Sequence, residues 1–424
     1  MLNVREAVVK ALTKIELSGG YSNLALNSFL KENDFSAEDS AFASRLIYGV
    51  VERKITLDYY IEKSSSRPLS KISTFLINNL RVAIYQICFM DKVPQSAAVN
   101  EAVNITKRSK DRYAAGFVNA VLRAFLRNKP ELPSGDTDYA LSIKFSCAKW
   151  YIHELKQYIG KDKVEHFLAD SLQPPPTYIR VNTNKTTKND LVDQLCESGV
   201  LVTESSQENA LNILTKGAVS KLESFDNGLF HVQDLASQIA IANLDIKTSD
   251  SVLDICAAPG GKSCTAAQYA KNGKVVSCDL YPSRVELIKD NFKRLGINNA
   301  TAIVNNALVC NKSFGLFDKI ICDVPCSGFG VIRRKPEIKY KESDELTNLP
   351  QVQYNILKIS ASYLKNGGKL LYSTCTLREA ENEAIVTEFL RNHDEFFLEN
   401  SEFRRLLPET DASDGFFFAV ICRK

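Results

Sequence analysis

The sequence predicts a chain of two or three domains: an all-α N-terminal module followed by an α/β module built on a parallel sheet. Three observations carry this. Apolar residues recur at helical spacing through residues 1–128. A break rich in proline, glycine and acids, NKPELPSGDTD at 128–138, interrupts them. After residue 250, short apolar strands alternate with helices, the rhythm of βαβ units. The length of 424 residues fits that count at roughly 150 residues per domain.

The elements follow in order. Ser36-Ala-Glu-Asp39 has the spacing of a capping box, and Phe42, Leu46 and Val50 then form one apolar stripe. Leu80 to Met90 is apolar on most faces, which predicts a central helix. Gly116 to Leu126 puts Phe117, Val121, Leu122 and Phe125 on one side. Helical patterning resumes over 139–170 around Trp150 and stops at Pro174-Pro175-Pro176. Strand-like segments begin with YIRVN (178–182), LNILT (211–215) and LFHVQD (229–234). Strand SVLDICA then leads to a helix near Gly261, and strand KVVSCD to helix SRVELIKDNFKRLG. Strands TAIVN and DKIICD, helix QVQYNILKISASYL, strand KLLYSTC and a last apolar strand, FFFAVICRK, complete the pattern.

Composition narrows the class. Apolar residues make up 45% and charged residues 24%, which excludes a disordered, collagen-like or coiled-coil chain. The longest apolar runs, such as Phe416 to Cys422, fall far short of the roughly 20 residues of a membrane span. The N-terminal MLNVREAVVKALTKIE has no signal-peptide pattern, and the 11 cysteines are an odd count. The expectation is a protein of the reducing cytoplasm. No CxxC pair occurs and the histidines (His153, His166, His231, His393) are scattered, so no metal site is expected. The net charge of +3 is unevenly spread. Residues 1–130 hold 19 Lys and Arg against 12 Asp and Glu, a balance of +7, and the remainder balances at −4. A basic module on a slightly acidic body suits phosphate-backbone binding, and it equally suits a solvated basic surface.

Ligands of open α/β sheets bind outside the carboxyl ends of the strands, and five such ends carry notable residues. Cys256-Ala257-Ala258-Pro259-Gly260-Gly261-Lys262 is a small-residue turn into a helix, where backbone N–H groups can approach a ligand. It matches neither G-x-G-x-x-G nor the P-loop, where a required glycine would be Cys256. Asp279 can accept from a ribose diol or cap a helix. Asn306 can bond an adenine edge or serve only its turn. Asp323-Val-Pro-Cys326 joins an acid and a thiol, with Arg333, Arg334 and Lys335 downstream. Ser373-Thr-Cys-Thr376 brings a second thiol, Cys375, to the same crevice. One turn cysteine is easily inert; two beside an acid are harder to explain by packing.

Carbon 5 of cytosine is a poor nucleophile. A thiolate adding to carbon 6 makes the ring an enamine that attacks an electrophilic methyl group. An acid on the ring stabilises the adduct, and a base must take the carbon 5 proton before the thiol leaves. The strand ends contain these parts.

DICAAPGGK, DVPC and STCT together resemble the Sun-type family of RNA 5-methylcytosine methyltransferases, which use S-adenosylmethionine; YIRVN, HVQDLASQ and DGFF (414–417) also match. FASRLIYGVVERKITLDYYI, LRVAIYQICFMDKVPQSAAVNEAV and AAGFVNAVLRAFLR resemble a NusB RNA-binding domain. The resemblance implies a NusB-like all-α domain (1–130), a connecting α/β subdomain (131–235) and a Rossmann-like catalytic domain (236–424). It implies methylation of 16S rRNA at a cytosine unstacked from a loop or bulge, by a monomer. It implies that Cys256 to Lys262 surround the methionine side of the cofactor and that Asp279 binds its ribose. Asp323 would hold the cytosine and border the cofactor, with Cys375 as nucleophile and Cys326 promoting product release. The family commonly has aspartate where this chain has Asn306, whose carbonyl can still accept from the adenine amino group. Arg333, Arg334, Lys335 and the N-terminal module would hold RNA phosphates. Two other readings remain open. One is a non-enzymatic RNA-binding factor on a degenerate methyltransferase scaffold. The other is an amino-group methyltransferase, although those need a turn of the Asn-Pro-Pro-Tyr kind where this chain has Asp323-Val-Pro-Cys326.

Overall fold

The computed structural model describes residues 3–18, 29, 33, 35–215 and 217–424. They divide into two compact units, residues 1–157, 161–172 and 335–342 in one, and 158–160, 173–334 and 343–424 in the other.

The first unit is helical. Ser36 caps the helix Ala37–Glu52 by accepting from Asp39 N, as its spacing predicts. Leu46 and Val50 on that stripe are fully buried. The helix Thr74–Phe89 is the central one, and it starts six residues before the apolar run because Ser73 caps it. Its buried polar groups are satisfied. Arg81 is forked onto Asp58 at 2.6 and 2.8 Å and reaches Glu16 at 2.9 Å. Asn79 Nδ2 donates to Ala102 O and Thr106 Oγ1. The helix Ala115–Asn128 buries Val118, Val121, Leu122 and Phe125 against the same core. Helices Asp138–Phe145, Lys149–Ile159 and Lys161–Asp170 follow. The strap 335–342 belongs to this unit: Tyr340 donates to Val51 O, and Lys339 O accepts from Ala148 N.

The second unit holds two sheets. The smaller is antiparallel in the order β2-β3-β1-β4, with β1 Thr177–Val181, β2 Leu201–Glu204, β3 Ala210–Leu214 and β4 Phe230–Val232. One face packs on the helix Lys188–Glu197 through Ile179, Val181, Leu191 and Leu195. The larger sheet contains β5 Ser251–Asp254, β6 Lys274–Asp279, β7 Ala300–Val304, β8 Phe317–Asp323, β9 Leu364–Thr374, β10 Phe396–Leu398, β11 Arg404–Leu406 and β12 Phe416–Arg423. Its order is β10-β12-β9-β8-β5-β6-β7, with β11 also paired to β12. β5 to β9 are parallel, as expected, but β12 runs antiparallel to β9, so the sheet is mixed. Both faces are covered. Phe416, Phe418 and Val420 enter one core while Phe417, Ala419 and Ile421 enter the other. That is why the last strand reads as a continuous apolar run with no alternation.

From β5 the chain builds β6 and β7 to one side and then returns for β8 on the other. The order reverses between β5 and β8, which opens a crevice at the carboxyl ends of those two strands. Asp254 and Asp323 stand there.

Candidate active site

The turn between β5 and the helix Gly261–Tyr269 frames the crevice. Gly260, at φ +105°, closes it by donating to Ala257 O at 2.7 Å. A Cβ on Gly260 would lie 3.3 Å from Ile288 Cγ2, so a side chain is disfavoured by both strain and space. Lys262, first in line after the two glycines, reaches Asp323 Oδ2 at 2.7 Å, and Ser373 Oγ donates to Asp323 Oδ1 at 2.6 Å. Burial pulls the Lys262 ammonium down, but the Asp323 carboxylate outweighs it and holds the ammonium above its ordinary value. A cavity of about 220 Å³ lies over this turn, lined by Gln233, Asp234, Ser237, Asp254, residues of the 256–262 turn, and Asp323.

Asp254 had no role assigned from sequence although it opens the motif. It is fully buried, and its Oδ2 accepts from Ser263 Oγ at 2.6 Å, which in turn accepts from Ser277 Oγ at 2.8 Å. Its Oδ1 has no protein partner, nor has Gln233 Nε2. Burial pushes the Asp254 carboxyl up to about 7, the Ser263 hydrogen bond opposing and the nearby charge of Asp323 adding. Two orphaned buried polar atoms on one small cavity fit a polar ligand.

Asp279 ends β6 and is buried beside the same turn. Its Oδ2 accepts from Ala258 N and pairs with Arg284 Nη1, both at 3.3 Å, and its Oδ1 accepts from Tyr281 N. Arg284 also donates to Ala258 O at 3.0 Å, strapping the two segments together. Asn306 is exposed, and its Oδ1 accepts from Leu308 N at 3.0 Å, closing its own turn. Neither Asp279 nor Asn306 lines the 220 Å³ cavity.

The loops after β8 and β9 bring the two predicted thiols together. Cys326 Sγ and Cys375 Sγ are 3.3 Å apart. Strand pairing sets this approach, because Asp323 stands opposite Ser373 in the parallel ladder. The contact with Cys375 and then burial push the Cys326 thiol well up. Gly330 and Gly415 pass backbone to backbone beside them: Gly330 N donates to Cys375 O and Gly415 N to Gly330 O.

One expectation is overturned. Arg333 and Arg334 do not stand free for phosphate. Asp414 is buried, and both guanidiniums bind its carboxylate through Nε; Arg334 also reaches Asp234 Oδ2 at 3.0 Å. A buried carboxylate requires that countercharge. Lys335 is exposed. Sequence reasoning also missed Glu381 and Asn382, which are fully buried and bonded to the thiol-bearing loops. Among the described residues, no helix is long and apolar enough to cross a membrane, and no three His, Cys, Asp or Glu side chains gather as metal ligands.

Three family models match in series: the NusB family over residues 2–127, the ferredoxin-like domain of RsmF/B-like methyltransferases over 147–220, and 16S rRNA methyltransferase RsmB/F over 241–422. A Bacillus subtilis (strain 168) protein described as "Probable ribosomal RNA small subunit methyltransferase B" is 36% identical, over 100% of this chain and 99% of its own length. The ribosomal RNA small subunit methyltransferase B of Vibrio cholerae is 30% identical over 100% of this chain and 98% of its own. The crystal structure of PH0851 superposes with a TM-score of 0.83 at 26% identity, covering 100% of this chain and 99% of its own.

Proposed function

The chain belongs to the 16S rRNA methyltransferase RsmB/F family, a group of S-adenosylmethionine-dependent enzymes, and from that premise we propose that it methylates carbon 5 of a cytosine in 16S rRNA. The observation that carries this reading is the pair of thiols 3.3 Å apart, with Asp323 beside them on the same strand ends. We assign residues 1–130 to RNA anchoring, 131–235 to a connecting subdomain and 236–424 to catalysis.

The turn from Cys256 to Lys262 fits the cofactor's methionine side. The cavity over it holds the unpaired Asp254 Oδ1 and Gln233 Nε2, which suit a polar amino-acid end. Asp279, held next to Ala258, would accept from the ribose diol, and Asn306 from the adenine amino group. S-adenosylmethionine, when bound, supplies the electrophilic methyl group. Lys262 and Ser373 fix the Asp323 carboxylate from two sides, so it presents one geometry to the edge of the cytosine. The Cys375 thiolate adds to carbon 6 and makes carbon 5 nucleophilic. The resemblance carried by Ser373-Thr-Cys-Thr376 makes Cys375 the thiol that attacks and Cys326 the one that serves product release. With Cys375 bonded to carbon 6, Cys326 loses the contact that raised its thiol and releases its proton to water. As the thiolate it accepts the carbon 5 proton after methylation, and Cys375 is eliminated as thiolate.

Bisulfite mapping of 16S rRNA from cells lacking this protein tests the reading. One cytosine should lose its protection from conversion, and re-expression should restore it, while a Cys375→Ala variant should not. An unchanged bisulfite map would sink the proposal.

A further inference from the structure

Two consecutive buried residues outside the motifs hold both thiol-bearing loops. Glu381 Oε2 accepts from Ser327 N, just past Cys326, and from Gln353 Nε2, both at 2.9 Å. The same Gln353 amide donates to Pro325 O, just before Cys326, at 3.0 Å. Asn382 does the equivalent for Cys375. Its Oδ1 accepts from Thr374 Oγ1 at 2.6 Å, and its Nδ2 donates to Thr376 O at 3.0 Å. Each cysteine is therefore gripped on both flanks, and the two grips are joined by a single peptide bond. Ser327 Oγ and Thr376 Oγ1, 2.7 Å apart, add a direct tie between the loops.

A carboxylate buried this deeply is retained only if its hydrogen bonds are complete. Glu381 has Arg378 Nη1 at 3.0 Å on its other oxygen, and its own carbonyl accepts from Tyr372 Oη at 2.7 Å. Asn382 Nδ2 is anchored further by Tyr158 Oη at 2.9 Å. Such a frame costs several buried polar groups, and simple packing of a turn does not demand it.

We propose that Glu381 and Asn382 are positioning residues that set the separation and mutual orientation of Cys326 and Cys375. They thereby govern how fast an RNA adduct formed by one thiol is discharged with the help of the other. This last step rests on the two-thiol reading above; the positioning itself does not.

The test is disulfide capture in the full-length protein. Diamide takes up two electrons and two protons as the two thiols join, and peptide mass mapping follows the Cys326–Cys375 bond. Glu381→Gln keeps side-chain volume, and Asn382→Asp keeps the acceptor for Thr374 while removing the donor to Thr376. Each should slow the capture by about tenfold or more relative to the native protein. If either fails to fold, Thr374→Val, which removes only the hydroxyl held by Asn382, must show the same slowing. With RNA and cofactor, Glu381→Gln should lower kcat with little change in KM. It should also accumulate the denaturant-stable protein–RNA adduct that Cys326→Ala accumulates. Capture at the native rate in these folded variants overturns the proposal. Slowed capture with native discharge of the adduct overturns its catalytic half. Slowed capture with no adduct from Cys326→Ala supports the positioning and sinks the two-thiol reading instead.

Discussion

Loops at the same end of the same sheet are held in two different ways. Those after β8 and β9 are gripped from elsewhere in the chain, by Glu381, Asn382 and Gln353 and by the close pass of Gly330 over Gly415. The loop after β7 mostly holds itself. Asn306 Oδ1 accepts from Leu308 N and Asn311 Oδ1 from Ser313 N; one outside tie is the Tyr363 hydroxyl, which accepts from Asn311 N at 2.6 Å. Leu308 and Val309 are exposed. Bond-making atoms require sub-ångström placement, whereas the edge of a bound nucleoside tolerates a self-closed turn. Substitutions in the first pair of loops should therefore cost turnover, and those in the other loop should adjust affinity.

The largest expected effect is Cys375→Ala, which removes the nucleophile. Methyl transfer to RNA, followed with labelled cofactor, should fall to background while cofactor binding is kept. Full activity in this variant would break the mechanism outright. Gly330→Ala probes the same region without touching a reacting atom. Its new Cβ would lie 1.9 Å from Gly415 O and 2.9 Å from Cys375 O, both backbone, so the two loops must move apart. Turnover should drop about a hundredfold. Gly116→Ala, where a Cβ meets nothing within 4 Å, is the control and should leave activity unchanged.

What the sequence shows and what it hides follow the same division. The 256–262 turn, Asp323-Val-Pro-Cys326 and Ser373-Thr-Cys-Thr376 are contiguous motifs whose chemistry sits in neighbouring residues. The parallel strands β5 to β9 were legible as short apolar runs, with helices between β5 and β6, β6 and β7, and β8 and β9, and a loop rather than a helix between β7 and β8. Glu381 was not legible because it acts on a loop 54 residues earlier, and Asn382 because no motif marks the fold-back that brings its amide onto Thr374 and Thr376, eight and six residues before it. Arg333 and Arg334 misled for the same reason. In the sequence they form a cationic cluster with Lys335, and their carboxylate partner Asp414 arrives only with the last strand. The three-residue strands β10 and β11 are too short to carry a periodic signal, and the direction of β12 is not written in a strand apolar on both faces.

Asp254 sharpens the comparison from beneath the crevice. Its carboxyl is pushed up to about 7, against an ordinary value near 3.8. Between those values the folded chain holds a proton that the unfolded chain has released, so stability falls as pH rises from about 4 to about 7. Asp254→Asn keeps an acceptor for Ser263 Oγ and abolishes the ionisation. At pH 8 it should raise the thermal midpoint, by a stability gain on the order of 1–3 kcal/mol, and flatten the dependence on pH. A variant with the same pH dependence as the native protein would show that Asp254 is not the group titrating. Turnover is expected to suffer despite the added stability, because the orphaned oxygen on the cavity changes character.

The smallest effect belongs to the self-closed loop. Asn306→Asp preserves the acceptor for Leu308 N and adds a charge where the family commonly has one. A hydrogen bond to a charged acceptor is stronger than one to a neutral amide by about 1 kcal/mol, and exposure of this side chain to water reduces the gain. Calorimetric titration should therefore find cofactor binding tightened by no more than about fivefold, with turnover at saturation unchanged. Weakening by about tenfold would mean that the Asn306 amide serves as a donor, so that its exchange for aspartate reverses the hydrogen bond. A change in saturated turnover would break the comparison itself, because it would place the loop after β7 among the parts that position reacting atoms.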